Sequence, residues 1–162
     1  MRSLAFAAFA VALSGTAALA APASVSVTLA PELQEKSEKV YGMRDVTRLQ
    51  EELRKDVERE LGRTGAYQDA RIDLVLVDVV PNRPTFKQLG DTPGLSMESF
   101  GVGGARIEGQ VTAADGVVTP VAYDWYETDI RWTWANWVWS DTEYAFERFA
   151  RKLSQGQALA RR

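Results

Sequence analysis

The tryptophans are the residues whose type and spacing point most directly to recognition chemistry. All five Trp lie within fifteen residues, at positions 125, 132, 134, 137 and 139. Flat indole faces can stack on sugar rings, and indoles also suit the boundary between lipid and water. Aromatic side chains dominate protein cores, so we expect this cluster to pack between the last strand and the last helix. The alternative is a ligand-binding platform, for which Trp132, Trp134 and Trp137 are the candidate residues.

Acidic residues in the second half of the chain are the other candidates. Two carboxylates about 5 Å apart, or about 6.5–9.5 Å apart, can cleave a glycosidic bond. Glu98, Glu108 and Glu127 are the acids that such a hydrolase would use. Acids on the polar face of a hairpin are ordinarily solvated, and the sequence shows no pair with the perturbed pKa that acid–base catalysis requires. We therefore expect no catalytic residue, with a carboxylate-dependent hydrolase as the second alternative function.

The absence of two residue types excludes several chemistries. The 162 residues include no Cys and no His. A thiolate nucleophile, a disulfide, an iron–sulfur cluster and a Ser-His-Asp triad are therefore excluded, as is a His-ligated metal. We expect no metal and no cofactor. The formal net charge of -3 argues against a nucleic-acid partner, which requires a basic surface.

The first twenty residues have the pattern of a secretory signal peptide. Met1-Arg2 supplies a short positive start, and an apolar run covers residues 4–13. Small residues follow at Ala18 and Ala20, as signal peptidase requires. We expect cleavage between Ala20 and Ala21 and a periplasmic or secreted protein. The apolar run is shorter than the roughly 20 residues that span a bilayer, and we expect no transmembrane segment after cleavage.

Hydrophobic periodicity predicts the first three elements. Residues 24–30 alternate as a half-buried strand does, and residues 32–43 are charged, consistent with a loop or a short helix. An apolar stripe at every third or fourth position predicts a helix over 46–61, started by Asp45 or Thr47 and ended by Gly62. Residues 71–80 are apolar on both faces, which predicts a central strand covered on both sides. Asp78, near the end of that strand, is expected at its solvent boundary.

The second half of the chain contains a long connection, a hairpin and a helix. Residues 81–104 are rich in Pro and Gly, so this connection is functional, disordered or contains a further element. Residues 105–126 read as a hairpin around an Asp-Gly turn, with Pro120 at an edge or a bulge. Ser140 and Glu143 have the spacing of a capping box, with a hydrophobic staple between Trp139 and Tyr144. The helix that follows carries a buried stripe of Phe146, Phe149, Ala150 and Leu153.

This order of elements predicts an α+β fold in two layers. We expect a mostly antiparallel sheet of about four strands, with two helices packed on one face and strand 71–80 at its centre. After the signal peptide, residues 21–162 are expected to form a single domain. Its first part, 21–44, is expected to be partly irregular, and 155–162 a frayed tail.

Three short motifs resemble those of a class of uncharacterised bacterial envelope proteins and lipoproteins with a domain of unknown function. They are SFGVGGA at 99–105, ADG at 114–116, and WSD at 139–141 leading into AFERFA at 145–150. The resemblance covers roughly residues 45–155. It implies an envelope location and supplies no catalytic residue; members often carry a lipid-anchoring Cys, which this chain lacks. Our leading hypothesis is a non-enzymatic interaction module that contacts another envelope protein, and the first alternative is a binder of glycan or peptidoglycan.

Overall fold

A single four-stranded sheet organises the molecule. The computed structural model describes residues 24–157, so the predicted signal peptide and the last residues of the predicted tail lie outside the described residues. The strands β1 (Ser24–Leu29), β2 (Arg71–Val80), β3 (Gly104–Thr112) and β4 (Val118–Tyr126) lie side by side in that order. β1 runs parallel to β2, and the other two pairs are antiparallel. The predicted α+β class is confirmed.

Helical segments connect and cover these strands. Their bounds in chain order are α1 (Pro31–Lys36), a single π-helical stretch (Ser37–Tyr41), α2 (Met43–Thr64), α3 (Phe86–Asp91), a 3-10 turn (Ile130–Trp132) and α4 (Ser140–Ser154). The segment 32–43, for which the sequence allowed a loop or a short helix, is thus helical almost throughout. α3 is the element contained in the long connection 81–104. Its start is a capping box in which Thr85 accepts the backbone N–H of Gln88, and the Gln88 side chain accepts the N–H of Thr85.

The two long helices pack against each other and on one face of the sheet. Both predicted apolar stripes are buried, because a period of 3.6 residues brings their members to one side of each helix. α2 contributes Val46, Leu49, Leu53, Val57 and Leu61, and α4 contributes Phe146, Phe149, Ala150 and Leu153. From the sheet, β2 contributes Ile72, Leu74, Leu76 and Val79.

The opposite face of β2 is not covered as predicted. Val75 and Val77 are only half-buried, because both long helices lie on the other side of the sheet. A bulge between Leu76 and Asp78 shifts the register at this point. Asp78 then accepts hydrogen bonds from Lys36 Nζ and from the Tyr126 hydroxyl, both at 3.0 Å. It is a partly exposed boundary residue, as predicted, and it also links α1 to β4.

The hairpin has the predicted strands, and Pro120 lies on the edge strand β4, where its missing N–H is tolerated.

Gly104 is required by close packing at the start of β3. A Cβ at this position would lie 2.6 Å from Cδ1 of Tyr126. Burial, reinforced by the negative charge of Asp78, raises the pKa of the Tyr126 phenol. The phenol therefore remains a hydrogen-bond donor at neutral pH.

Both predicted ends of α2 are wrong. α2 begins at Met43, before Asp45 and Thr47, and continues through Gly62 to Thr64, where Gly65 in the left-handed conformation ends it.

The predicted capping box at α4 is also absent. Ser140 is already helical, and its hydroxyl accepts the N–H of Trp137 at 2.9 Å. The predicted staple is absent as well, because Trp139 packs edge-on against Tyr41 and Tyr144 packs against Trp125.

Candidate binding surface

The tryptophan cluster divides into a buried part and an exposed part. Trp139 is only 3% exposed, so the packing expectation is confirmed for this residue. It is wrong for Trp132, Trp134 and Trp137, whose exposed fractions are 72%, 68% and 75%. Trp125 is half-buried, so its exposure is intermediate between that of Trp139 and that of the three exposed tryptophans. The three candidate residues therefore present their indoles to solvent on the connection between β4 and α4.

Apolar side chains of a second connection are exposed at the same end of the sheet. Phe86 is 84% exposed, and Met97 and Phe100 are also exposed. These three residues lie in the connection between β2 and β3. Ile130, Trp132, Trp134 and Trp137 lie in the connection between β4 and α4. We call this set the aromatic tip: Phe86, Met97, Phe100, Ile130, Trp132, Trp134 and Trp137. Exposed apolar groups in such number mark interaction surfaces in soluble proteins.

Arg83 joins the two connections that carry the aromatic tip. Its Nε donates to the carbonyl of Asn136, its Nη1 to that of Met97, and its Nη2 to that of Trp134, each at 2.6 Å. The guanidinium carbon also lies 5.8 Å from the centre of the Phe100 ring. A planar guanidinium has donors in several fixed directions, so one side chain can hold three carbonyls. Arg83 thus fixes the backbone beneath the exposed side chains.

A buried polar network supports the same two connections from below. Asp141 accepts hydrogen bonds from Asn82 Nδ2 at 2.5 Å, from Asn136 Nδ2 at 2.7 Å and from the Gly103 N–H at 2.9 Å. Its own N–H donates to Asn82 Oδ1 at 2.9 Å. Asn82 and Asp141 are both buried. Because its partners belong to both connections, the Asp141 carboxylate positions the tip rather than facing solvent.

A small apolar hollow lies within the aromatic tip. Its volume is about 260 Å³, and Phe86, Met97 and Trp137 contribute to its walls together with the buried Trp139. Arg48 lines the same hollow and forms an ion pair with Glu143 at 3.1 Å. The volume is slightly below that of pockets for drug-sized ligands, which begin at about 300 Å³. The hollow is suited to one apolar group of a larger partner.

The charges of the two connections nearly cancel. Residues 81–103 and 127–139 contain three basic side chains, at 83, 87 and 131, and four acidic ones, at 91, 98, 127 and 129. Lys87 pairs with Asp91 at 2.7 Å, and Arg131 pairs with Asp129 at 2.6 Å. The bond from Arg131 holds the pKa of Asp129 below its usual range. The tip therefore offers apolar surface with little net charge.

The three acids considered for hydrolysis lie in different places. Glu98 lines a hollow beside Trp137. Glu108 pairs with Arg106 on the uncovered face of the sheet, and Glu127 accepts the N–H groups of Thr128 and Asp129. Among residues 24–157, no three acidic side chains are close enough together to hold a metal ion. The structure does not assemble these carboxylates into one cleft.

Sequence reasoning missed Phe86, Met97 and Arg83 as members of this surface. The long Pro- and Gly-rich connection was a signal that the segment has a function, but it did not say which side chains point outward.

Comparisons with known proteins add no relative. No protein-family model matches the chain, and no curated protein is significantly similar to it. Within the part of the chain that the structure describes, no helix is long and apolar enough to cross a membrane.

Proposed function

We propose that this protein is a non-catalytic binding module of the bacterial cell envelope and that the aromatic tip is its contact surface. The single observation that carries the proposal is the exposure of Phe86, Trp132, Trp134 and Trp137 on connections held by Arg83. Tryptophan is enriched among the residues that dominate binding energies. Burying such side chains against a partner recovers the free energy that their exposure to water costs.

The remaining parts of the proposal rest on the sequence. An envelope location follows from the predicted signal peptide at 1–20. A non-catalytic role is supported by the absence of Cys and His and by the separation of Glu98, Glu108 and Glu127. The most direct partner for such a module is another component of the envelope.

Fractionation of cells tests the proposal. The protein is expressed with its own leader, and its partition between soluble and envelope fractions is measured. Replacing Trp132, Trp134 and Trp137 together by Ser is expected to move the protein into the soluble fraction. The matched control replaces Val117 and Val118 by Ser, because these exposed residues lie at the opposite end of the sheet. Equal partition of both variants and the wild type would refute a contact role for the tip.

A second candidate function is the binding of cell-wall glycan. The observation in its favour is that three indoles within six residues are mostly exposed, as stacking on sugar rings requires. Titration with soluble cell-wall fragments would then shift the tryptophan emission of the wild type and leave that of the triple Ser variant unchanged. Unchanged emission of the wild type would dismiss glycan binding.

A further inference from the structure

We propose that the partner of the aromatic tip is a lipid surface, with Phe86, Trp132, Trp134 and Trp137 placed in the headgroup region of a bilayer. This inference rests on the proposed function, because it names the occupant of the same surface. Trp is enriched at the boundary between lipid and water, where its ring is amphipathic. Four independent properties of the tip favour a lipid surface over a sugar or a protein.

The first property is how far the side chains stand out. The four aromatic residues are 68–84% exposed, so most of the surface of each residue is open to solvent. Rings that stand free of the surface can enter the outer part of a bilayer without any rearrangement of the fold.

The second property is that several backbone groups of the tip already have hydrogen-bond partners within the domain. The carbonyls of Met97, Trp134 and Asn136 accept from Arg83. The N–H groups of residues 131, 132, 133, 136 and 137 all donate to groups within the same connection or to Ser140. Unpaired backbone groups are costly in a medium with little water, so each group that is bonded within the domain lowers the cost of contact with lipid.

The third property is that polar side chains of the tip already have hydrogen-bond partners within the domain. The Arg83 guanidinium donates to main-chain carbonyls, and the Asn136 amide donates to Asp141. The Asp129 carboxylate accepts from Arg131. A sugar site needs polar groups placed to bond the ligand hydroxyls. These three side chains are already bonded within the domain, so they are not available to the hydroxyl groups of a sugar.

The fourth property is charge. With three basic and four acidic side chains in the two connections, the tip has no positive excess that would attract anionic lipids. Binding is therefore driven by apolar burial, which scales with the area inserted. We expect it to occur on zwitterionic bilayers and to persist between about 0.1 M and about 1 M salt, although the Debye length falls from about 10 Å to about 3 Å.

Co-sedimentation with phosphatidylcholine vesicles tests this inference. The exported, processed protein is used, and all variants share one amino terminus, so any contribution from that terminus cancels. We expect the wild type to sediment with vesicles, and tryptophan emission to be quenched by brominated acyl chains. The triple Ser variant is expected to bind at least ten-fold more weakly, and the Val117 and Val118 variant to bind as the wild type does.

Three results would overturn the inference. They are no binding to phosphatidylcholine vesicles, binding only to anionic vesicles at low salt, and equal binding by the triple Ser variant. If vesicles are not bound while cell fractionation still depends on the three tryptophans, the lipid assignment fails and the contact role of the tip stands. If fractionation does not depend on them either, the proposed function fails as well.

Discussion

Removal of the Asp141 carboxylate is expected to destabilise the domain and to loosen the aromatic tip. In the native structure this carboxylate accepts three hydrogen bonds, from Asn82, Asn136 and the backbone of Gly103. The first and third of these bonds are buried. Asp141→Ala leaves three donors without their acceptor, and the backbone N–H of Gly103 cannot turn toward solvent.

The size of the effect follows from the burial of these donors. A buried donor without an acceptor costs about 1–3 kcal/mol, and a hydrogen bond to a charged group contributes about 1.5–3 kcal/mol. With two donors fully buried and one partly buried, we expect Asp141→Ala to lower the free energy of unfolding by about 4 kcal/mol. Asp141→Asn keeps one oxygen for the two buried donors and places an amide opposite Asn136. We expect it to cost about 2 kcal/mol.

Urea unfolding followed by circular dichroism measures these differences. Hydrogen exchange in the native state reports the tip separately. The N–H groups of Gly103 and Trp137 should lose protection in Asp141→Ala, and less so in Asp141→Asn, which keeps an acceptor for Gly103. The control is Glu147→Ala, an exposed acid on the same helix, for which we expect less than about 0.5 kcal/mol. A loss below about 1 kcal/mol for Asp141→Ala would refute the account of the network as a support of both connections.

Three other substitutions test separate parts of the structure. Arg83→Met removes three hydrogen bonds to main-chain carbonyls, which water can replace in part. We therefore expect the free energy of unfolding to fall by about 1–2 kcal/mol and hydrogen exchange at the tip to become faster. Exchange at the wild-type rate would contradict the role of Arg83. Gly104→Ala forces a Cβ against the Tyr126 ring and the neighbouring main chain, and we expect at least about 3 kcal/mol of destabilisation in a urea titration; a loss under about 1 kcal/mol would show that the strands separate easily. Burial raises the pKa of Asp56, so its ionised form costs stability in the folded state. Asp56→Asn should therefore gain stability relative to the wild type as the pH rises from about 4 through the raised pKa of Asp56 towards neutrality. Urea unfolding at each pH measures the difference in stability between the two proteins. A constant difference over that range would exclude the effect.

The sequence predicts the core of this fold well because buried apolar residues recur at regular intervals along a helix or a strand. Each stripe of α2 and α4 repeats with the helical period, and seven of the ten residues of β2 are apolar. The ends of helices are harder to predict because several residues near an end can serve as a cap. Thr85 caps α3 with its side chain, whereas Ser140, which has the same chemistry, lies inside α4. α3 itself is too short, at six residues, to show a period.

The candidate site could be predicted only in part. The sequence identifies Trp132, Trp134 and Trp137 as the residues of interest, because a dense group of indoles is unusual. It cannot show whether an indole is buried, since the same side chain suits a core and a surface. Exposure is decided here by contacts distant in sequence, above all by the bonds from Arg83 to residues fourteen to fifty-three positions away.

Arg83 donates its hydrogen bonds only to main-chain carbonyls of the connections that it joins, and every residue type has the same carbonyl. Substitutions at positions 97 and 134 can therefore change the exposed side chains while leaving the conformation of these loops intact. The exposed surface can thus vary independently of the scaffold. Related chains should retain an arginine at this position even where their outward-facing residues differ.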